Sequence, residues 1–86
     1  MMVVTECYGK NIYLNGTQVG YINRLPDGDG AWYIAGKKAA RMTHDGKIAI
    51  GGKIVGYIDD YGDVYLNGAK RGELGPEYDI YLTSLS

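Results

Sequence analysis

The feature that most constrains this chain is an internal repeat of about sixteen residues. The sequence aligns with itself in four copies, whose anchoring glycines are Gly16, Gly36, Gly52 and Gly68. The first interval is longer because residues 26–30 form an extra connection. A fifth half-copy follows at residues 79–82, and residues near 2–4 are expected to supply its missing second half. Such a period indicates one small unit that buries its apolar side against its neighbours.

Each copy is predicted to be a β-hairpin. Asn15-Gly16 and Asn67-Gly68 are strong signals for a tight hairpin turn, because both residue types tolerate positive φ. Fourteen glycines and nine tyrosines in 86 residues favour turns and pleated surfaces. A helix is excluded, since no apolar stripe of helical spacing survives a glycine every few positions.

The large apolar residues that recur in all four copies identify the core. They fall at three repeat positions, namely Ile12/Trp32/Ile48/Val64, Leu14/Ile34/Ile50/Leu66 and Ile22/Met42/Ile58/Leu74, with a small residue at Gly20/Ala40/Gly56/Gly72. All of these numbers are even. Side chains alternate along a strand, so these residues share one face if each hairpin loop contains an odd number of residues, as a turn plus a glycine bulge does.

The predicted fold is therefore all-β, a single domain over residues 1–86. It is an antiparallel meander of four hairpin repeats with half-repeats at each end, rolled into a barrel-like sheet. Closure is expected where the strand at residues 80–82 meets an N-terminal strand at residues 3–5. The alternative is an open sheet whose edges pair with a second copy in a sandwich-like dimer.

Two segments point to a family. Residues 19–23 (Val-Gly-Tyr-Ile-Asn) and 55–64 resemble the short tandem β-hairpin repeats of bacterial proteins, of which the WG repeat is the best known. The resemblance covers residues 10–82, although Val, Ala, Val and Arg stand where that repeat has Trp before glycine. It implies a binding role or no assigned role, and no chemistry.

Composition limits the classes of function. The formal net charge is −1, which gives no overall field to attract nucleic acid or an anionic membrane, so neither is an expected partner. The single cysteine, Cys7, excludes an intramolecular disulfide. No signal peptide or apolar span is apparent, and a cytoplasmic location is expected.

Tyrosines supply the first candidate binding surface. Four recur at one repeat position and two at another, all with odd numbers: Tyr13, Tyr33, Tyr65 and Tyr81, then Tyr21 and Tyr57. Tyrosine offers a large, rigid, amphipathic contact area, which is why it is enriched in binding surfaces. The alternative is cross-strand packing in which tyrosine covers glycine.

Charge supplies the second candidate. Basic residues sit at or just after the tight turns: Lys37, Lys38, Lys53, Lys70 and Arg71. Acidic residues concentrate in the connections at the other end: Asp27, Asp29, Asp45, Asp59, Asp60, Asp63, Glu77 and Asp79. The pattern predicts one basic rim and one acidic rim, suited to an acidic partner or to head-to-tail stacking, unless these are only solvated turns.

Catalytic and metal-binding signals are weak. Residues 27–30 (Asp-Gly-Asp-Gly) lack the further oxygen ligands of a calcium loop, and His44 has no second ligand for zinc. No nucleophile, base and orienting group can be assembled from Ser84, Ser86, His44 and Cys7. We therefore predict a protein that is not an enzyme and has no cofactor or metal.

The function predicted from these patterns is a binding or assembly module that presents tyrosines to a protein partner or to a second copy of itself, giving a homo-oligomer. Two alternatives stay open. One is a lectin-like module whose tyrosines stack on sugars. The other is a small inhibitor or accessory protein of a phage or mobile element, suggested only by small size and the lack of catalytic groups.

Overall fold

The computed structural model describes residues 4–85, which form one short helix and nine strands. The elements are a 3₁₀ helix at Val4–Cys7, then β1 Asn11–Leu14, β2 Thr17–Arg24, β3 Gly30–Ile34, β4 Lys37–Met42, β5 Lys47–Ile50, β6 Lys53–Ile58, β7 Asp63–Leu66, β8 Ala69–Leu74 and β9 Ile80–Leu82. Together the strands make a closed barrel in which each strand pairs with the next. The predicted all-β hairpin meander and its barrel-like closure are confirmed.

The barrel closes differently from the expectation. β9 pairs in parallel with β1, with Ile80 beside Ile12 and Leu82 beside Leu14. An up-and-down meander with an odd number of strands must close this way, because its first and last strands point in the same direction. The expected N-terminal closing strand at residues 3–5 is wrong for Val4 and Thr5, which begin the 3₁₀ helix. Met2 and Val3 lie outside the described residues.

The hairpin turns explain how all four copies keep the same face inward. Each tip has two residues, and both have positive φ, from 50° at Asn15 to 85° at Gly16. A two-residue loop would place successive strands out of phase. A bulge two residue pairs from each tip restores the phase; in the first hairpin the register shifts between Ile12 and Tyr13. The sequence pattern required an odd number of residues in each loop. The structure has a two-residue loop, and the extra residue lies in a bulge of the strand pairing.

The core lies inside the barrel and follows the even-numbered pattern. Ile12, Trp32, Ile48 and Val64 are buried at the first repeat position, and Ile22, Met42 and Ile58 are buried at the third. Burial is incomplete next to the hairpin tips. There Leu66 is buried and Leu14 and Ile34 are half-buried, but Ile50 is 46% exposed, so the prediction that Ile50 belongs to the core is wrong.

The 3₁₀ helix covers the opposite end of the barrel, where the hairpins connect to one another. Val4 and Cys7 are buried there. The hydroxyl of Tyr8 donates to the carbonyl oxygen of Gly28 over 2.8 Å, and the amide of Gly9 donates to the carbonyl oxygen of Ile22 over 2.7 Å. These bonds fix the N-terminal segment to β2 and to the connection that follows it. Within residues 4–85, no helix is long and apolar enough to cross a membrane.

Candidate functional site

The six repeated tyrosines form three stacked pairs on the outside of the barrel. The strand register places Tyr21 opposite Tyr33, Tyr57 opposite Tyr65 and Tyr13 beside Tyr81. Their ring centroids lie 5.3, 4.9 and 5.0 Å apart, and the ring planes differ by 12°, 18° and 12°. These separations are in the range that aromatic pairs favour.

Glycine on the neighbouring strand allows the tyrosine strands to approach closely. A Cβ atom built at Gly20 would overlap the carbonyl oxygen of Tyr33, and one built at Gly56 would overlap that of Tyr65. The repeat thus places a glycine against the backbone of Tyr33, Tyr65 and Tyr81. The atoms at these positions belong to the tyrosine backbone and not to the rings, so this close approach is distinct from the expected covering of glycine by tyrosine rings.

Each pair combines a more exposed ring with a less exposed one. Tyr21, Tyr57 and Tyr81 are 41%, 48% and 41% exposed. Their partners Tyr33, Tyr65 and Tyr13 are half-buried. Burial and the nearby carboxylates of Asp59 and Asp63 raise the pKa of Tyr65, so its hydroxyl stays protonated at neutral pH.

The structure distributes the pairs around the barrel instead of collecting them on one face. They occupy the junctions β9/β1, β2/β3 and β6/β7. At the junction between β4 and β5, Arg41 stands opposite Ala49, and no aromatic pair forms between these residues. The candidate site is therefore three separate aromatic stacks and one interrupted junction.

Only some of the basic side chains predicted to form a rim are free to contact a partner. Lys37, Lys38 and Lys53 are exposed and form no ion pair with residues 4–85. Lys70 instead reaches acidic residues beside it: its Nζ atom lies 3.1 Å from Asp63 on the neighbouring strand β7 and 3.8 Å from Glu73 on its own strand. The hydrogen bond to Asp63 raises the pKa of Lys70.

Arg71 differs from the exposed lysines at the basic rim. It is half-buried on β8, and its carbonyl oxygen accepts hydrogen bonds from the amide and the hydroxyl of Thr83.

The aspartates of the extra connection have a structural partner. Arg41 pairs with Asp27 and places its Nε atom 3.0 Å from Asp29. The backbone amide of Asp29 donates to the carboxylate of Asp27 over 3.0 Å. Over residues 4–85, no group of three His, Cys, Asp or Glu side chains comes together as a metal site. His44 lies exposed in a connection.

Cys7 is enclosed by the core. Burial, with smaller contributions from Asp79 and Glu6, raises the pKa of its thiol to about 12. At neutral pH the group is a protonated thiol, which is a poor nucleophile.

Sequence reasoning missed an apolar opening near the β4/β5 junction. Exposed Ile50, Ile54 and Leu85 belong to this end of the barrel. The available signal was the departure of the second and third copies from the repeat, with Ala40 where the others have glycine and Ala49 where they have tyrosine.

Comparison with known proteins gives no match to a family model, to a curated protein or to a solved structure.

Proposed function

We propose that this protein is a non-enzymatic binding module whose stacked tyrosine pairs are anchors for a protein partner or for a second copy of the chain. The observation that carries the proposal is the repetition of one arrangement, an exposed ring on a half-buried ring, at three junctions. We place the module in the cytoplasm, a compartment in which a lone thiol such as Cys7 stays reduced.

The stacking supports binding because it lowers the entropic cost of contact. A tyrosine has few rotatable bonds, and a ring held against its neighbour loses little further freedom when a partner covers it. Tyr21 and Tyr57 each keep a substantial exposed surface with a polar hydroxyl at its edge. Such amphipathic side chains are frequent among residues whose removal weakens a protein interface most.

The decisive experiment compares the wild-type protein with the double variant Tyr21→Ser/Tyr57→Ser. Size-exclusion chromatography with light scattering tests self-association, for which we expect an oligomer in the wild type and a monomer in the variant. Tyr61→Ser is the matched control, because Tyr61 is 89% exposed but forms no stacked pair with any other residue in the range 4–85. Monomers in all three proteins would remove the self-association form of the proposal.

A protein partner is tested by affinity capture followed by calorimetry with the purified candidate. We expect the double variant to weaken binding by at least about tenfold, as loss of an aromatic anchor does in protein interfaces. Tyr61→Ser is expected to bind like the wild type. Equal affinity of the double variant and the wild type would contradict the assignment of the stacks as anchors.

Sugar binding is the second candidate, and the exposed ring of each pair is the observation that favours it, since aromatic faces stack on sugar rings. A glycan array at micromolar protein concentration distinguishes it from protein binding. Binding that is lost in Tyr21→Ser/Tyr57→Ser would favour the lectin-like function.

A further inference from the structure

Strand β6 exposes an apolar side chain where the other hairpins have a polar one. The position is the second residue after each hairpin tip, which the register pairs with an outward residue of the preceding strand. It holds Gln18, Lys38, Ile54 and Lys70 in the four copies. Ile54 is 55% exposed, and its cross-strand neighbour is Ala49, where the other copies have tyrosine. The third hairpin therefore presents aliphatic surface to solvent at a place that the repeat otherwise keeps polar.

Ile54 and Tyr57 lie on the same outer face of the barrel. Ile54 pairs with Ala49 and Tyr57 pairs with Lys47, and these two partners are two residues apart on β5. Residues two apart on a strand point to the same side of the sheet, and so do cross-strand partners. Tyr57 is 48% exposed, so the two side chains together give β6 an apolar outer surface. Such a surface is stabilised when another molecule covers it.

Opposite charges stand at the two ends of β6, and the chain does not pair them internally. Lys53 is the first residue of β6, and Asp60 lies in the connection that follows its last residue. Both are exposed, and neither forms an ion pair with any residue between positions 4 and 85. The neighbouring carboxylate of Asp59 instead accepts the amides of Tyr61 and Asp63, over 3.0 and 2.9 Å. Asp59 therefore closes the turn, and Asp60 remains available to an external cation.

This combination of charges favours a second copy of the chain over other partners. An acidic partner would be repelled by Asp60 and a basic partner by Lys53. A second copy that lies on β6 in the reverse direction brings each charge beside its opposite. Lys53 and Asp60 are four and three residues from Tyr57, so the twofold axis of such a pair passes close to Tyr57 and both charge contacts form together.

We propose that the outer face of β6 is the surface through which two copies form a symmetric, antiparallel dimer. Ile54 and Tyr57 of both chains lie at its centre. Lys53 of each chain forms an ion pair with Asp60 of the other. The inference rests on the self-association form of the proposed function, and it assigns the contact to the stack that contains Tyr57 and not to the stack that contains Tyr21.

Sedimentation equilibrium of the full chain at low salt measures the dissociation constant of the dimer. We expect Ile54→Gln to raise this constant by at least about tenfold, because residues at the centre of an interface carry most of its affinity. Glutamine occupies this position in the first hairpin, so the variant keeps the fold. Leu85→Gln is the matched control, because Leu85 is 40% exposed but lies outside β6, and it should dimerise like the wild type. Tyr57→Ser should weaken the dimer, and Tyr21→Ser should not.

Charge reversal tests the pairing of the strand ends. Lys53→Glu and Asp60→Lys each place like charges side by side, and each is expected to raise the dissociation constant by at least about tenfold. An equimolar mixture of the two variants restores opposite charges at both contacts, and so does the double variant Lys53→Glu/Asp60→Lys. Both are expected to dimerise like the wild type. Lys37→Glu is the matched control, because Lys37 holds the position of Lys53 in the second hairpin, and it should leave the dimer unchanged.

A wild-type protein that stays monomeric at millimolar concentration would overturn the proposal, and so would a folded Ile54→Gln variant that dimerises like the wild type. Failure of both the mixture and the double charge variant to regain the dimer would also overturn it. These outcomes differ from a failure of the proposed function. If Tyr21→Ser/Tyr57→Ser abolishes association while Ile54→Gln and the charge reversals have no effect, the tyrosine stacks remain anchors and only the β6 dimer is rejected.

Discussion

The carbonyl oxygen of Tyr65 lies where a Cβ atom of residue 56 would be, so the contact between β6 and β7 requires Gly56. We expect Gly56→Ala to destabilise the protein by about 2–3 kcal/mol, because the obstacle is backbone and the strands must separate. Urea denaturation measures the loss.

Gly75→Ala is the control for this change. The nearest atoms there belong to the ring of Tyr81 and not to the backbone; moving this ring disturbs its stack with Tyr13 but does not separate the strands, so a smaller cost of about 1 kcal/mol is expected. Equal losses in the two variants would show that close backbone approach is not the cause.

The second hairpin tip is strained in a way that the others are not. Ala35 adopts a φ of 54°, a conformation that Asn15 and Asn67 adopt at the same repeat position. Asparagine tolerates this region far better than alanine, so Ala35→Asn should stabilise the protein by about 0.5–1 kcal/mol. The shift in thermal midpoint measures it. Asn67→Ala is the mirror experiment and should lower stability by a similar amount; a stabilising Asn67→Ala would contradict the argument.

The raised pKa of Cys7 predicts an unreactive thiol. With a pKa of about 12, the thiolate fraction at pH 8 is negligible, and burial blocks access as well. We expect Ellman's reagent to modify Cys7 in the native protein only as fast as the barrel opens, and at once in concentrated urea. Rapid, stoichiometric reaction in native buffer would show that the 3₁₀ helix does not cover this end of the barrel.

A connection loop provides a pH-dependent contact. The hydroxyl of Thr43 donates to the carboxylate of Asp45, and this bond lowers the pKa of Asp45 below its ordinary value of 3.8. A lowered carboxyl pKa contributes stability that is present above pH 3.8 and is lost as the pH falls through the pKa of the folded state.

In Thr43→Val the pKa of Asp45 should rise toward 3.8, which an NMR titration of the side-chain carboxyl measures. Thr83→Val, at the other end of the barrel, should leave it unchanged. An unaltered Asp45 titration in Thr43→Val would assign the shift to other causes.

The sequence was most informative where all four copies agree. Positions such as Ile12, Ile48 and Val64 repeat the same residue type with the same phase, so their common burial follows from alternation alone. The direction in which the tyrosines point follows in the same way. Their stacking does not, because it depends on the register between different hairpins, as between Tyr21 and Tyr33.

The structure differs from the sequence-based predictions where the four copies differ from one another and where the repeat ends. Ile50 is exposed at the junction where Ala40, on the neighbouring strand, stands in place of the glycine of the other copies. The parallel pairing of Ile80 with Ile12 reflects the odd number of strands, and Val4–Cys7 does not add a strand because it forms a 3₁₀ helix. Neither effect is visible in any single sixteen-residue unit.

The parallel pairing of β9 with β1, which closes the barrel, influences how the protein unfolds. It rests on three residue pairs, supported by the Asn15 amide donating to Leu82 over 2.9 Å and the Asn11 amide donating to Asp79 over 2.9 Å. Every other strand is joined to its neighbour by a short local turn, whereas this pairing links opposite ends of the sequence. Unfolding should therefore start with separation of β9 from β1, which leaves β9 paired only with β8 and opens the barrel into a sheet with two unpaired edges that can pair with other chains.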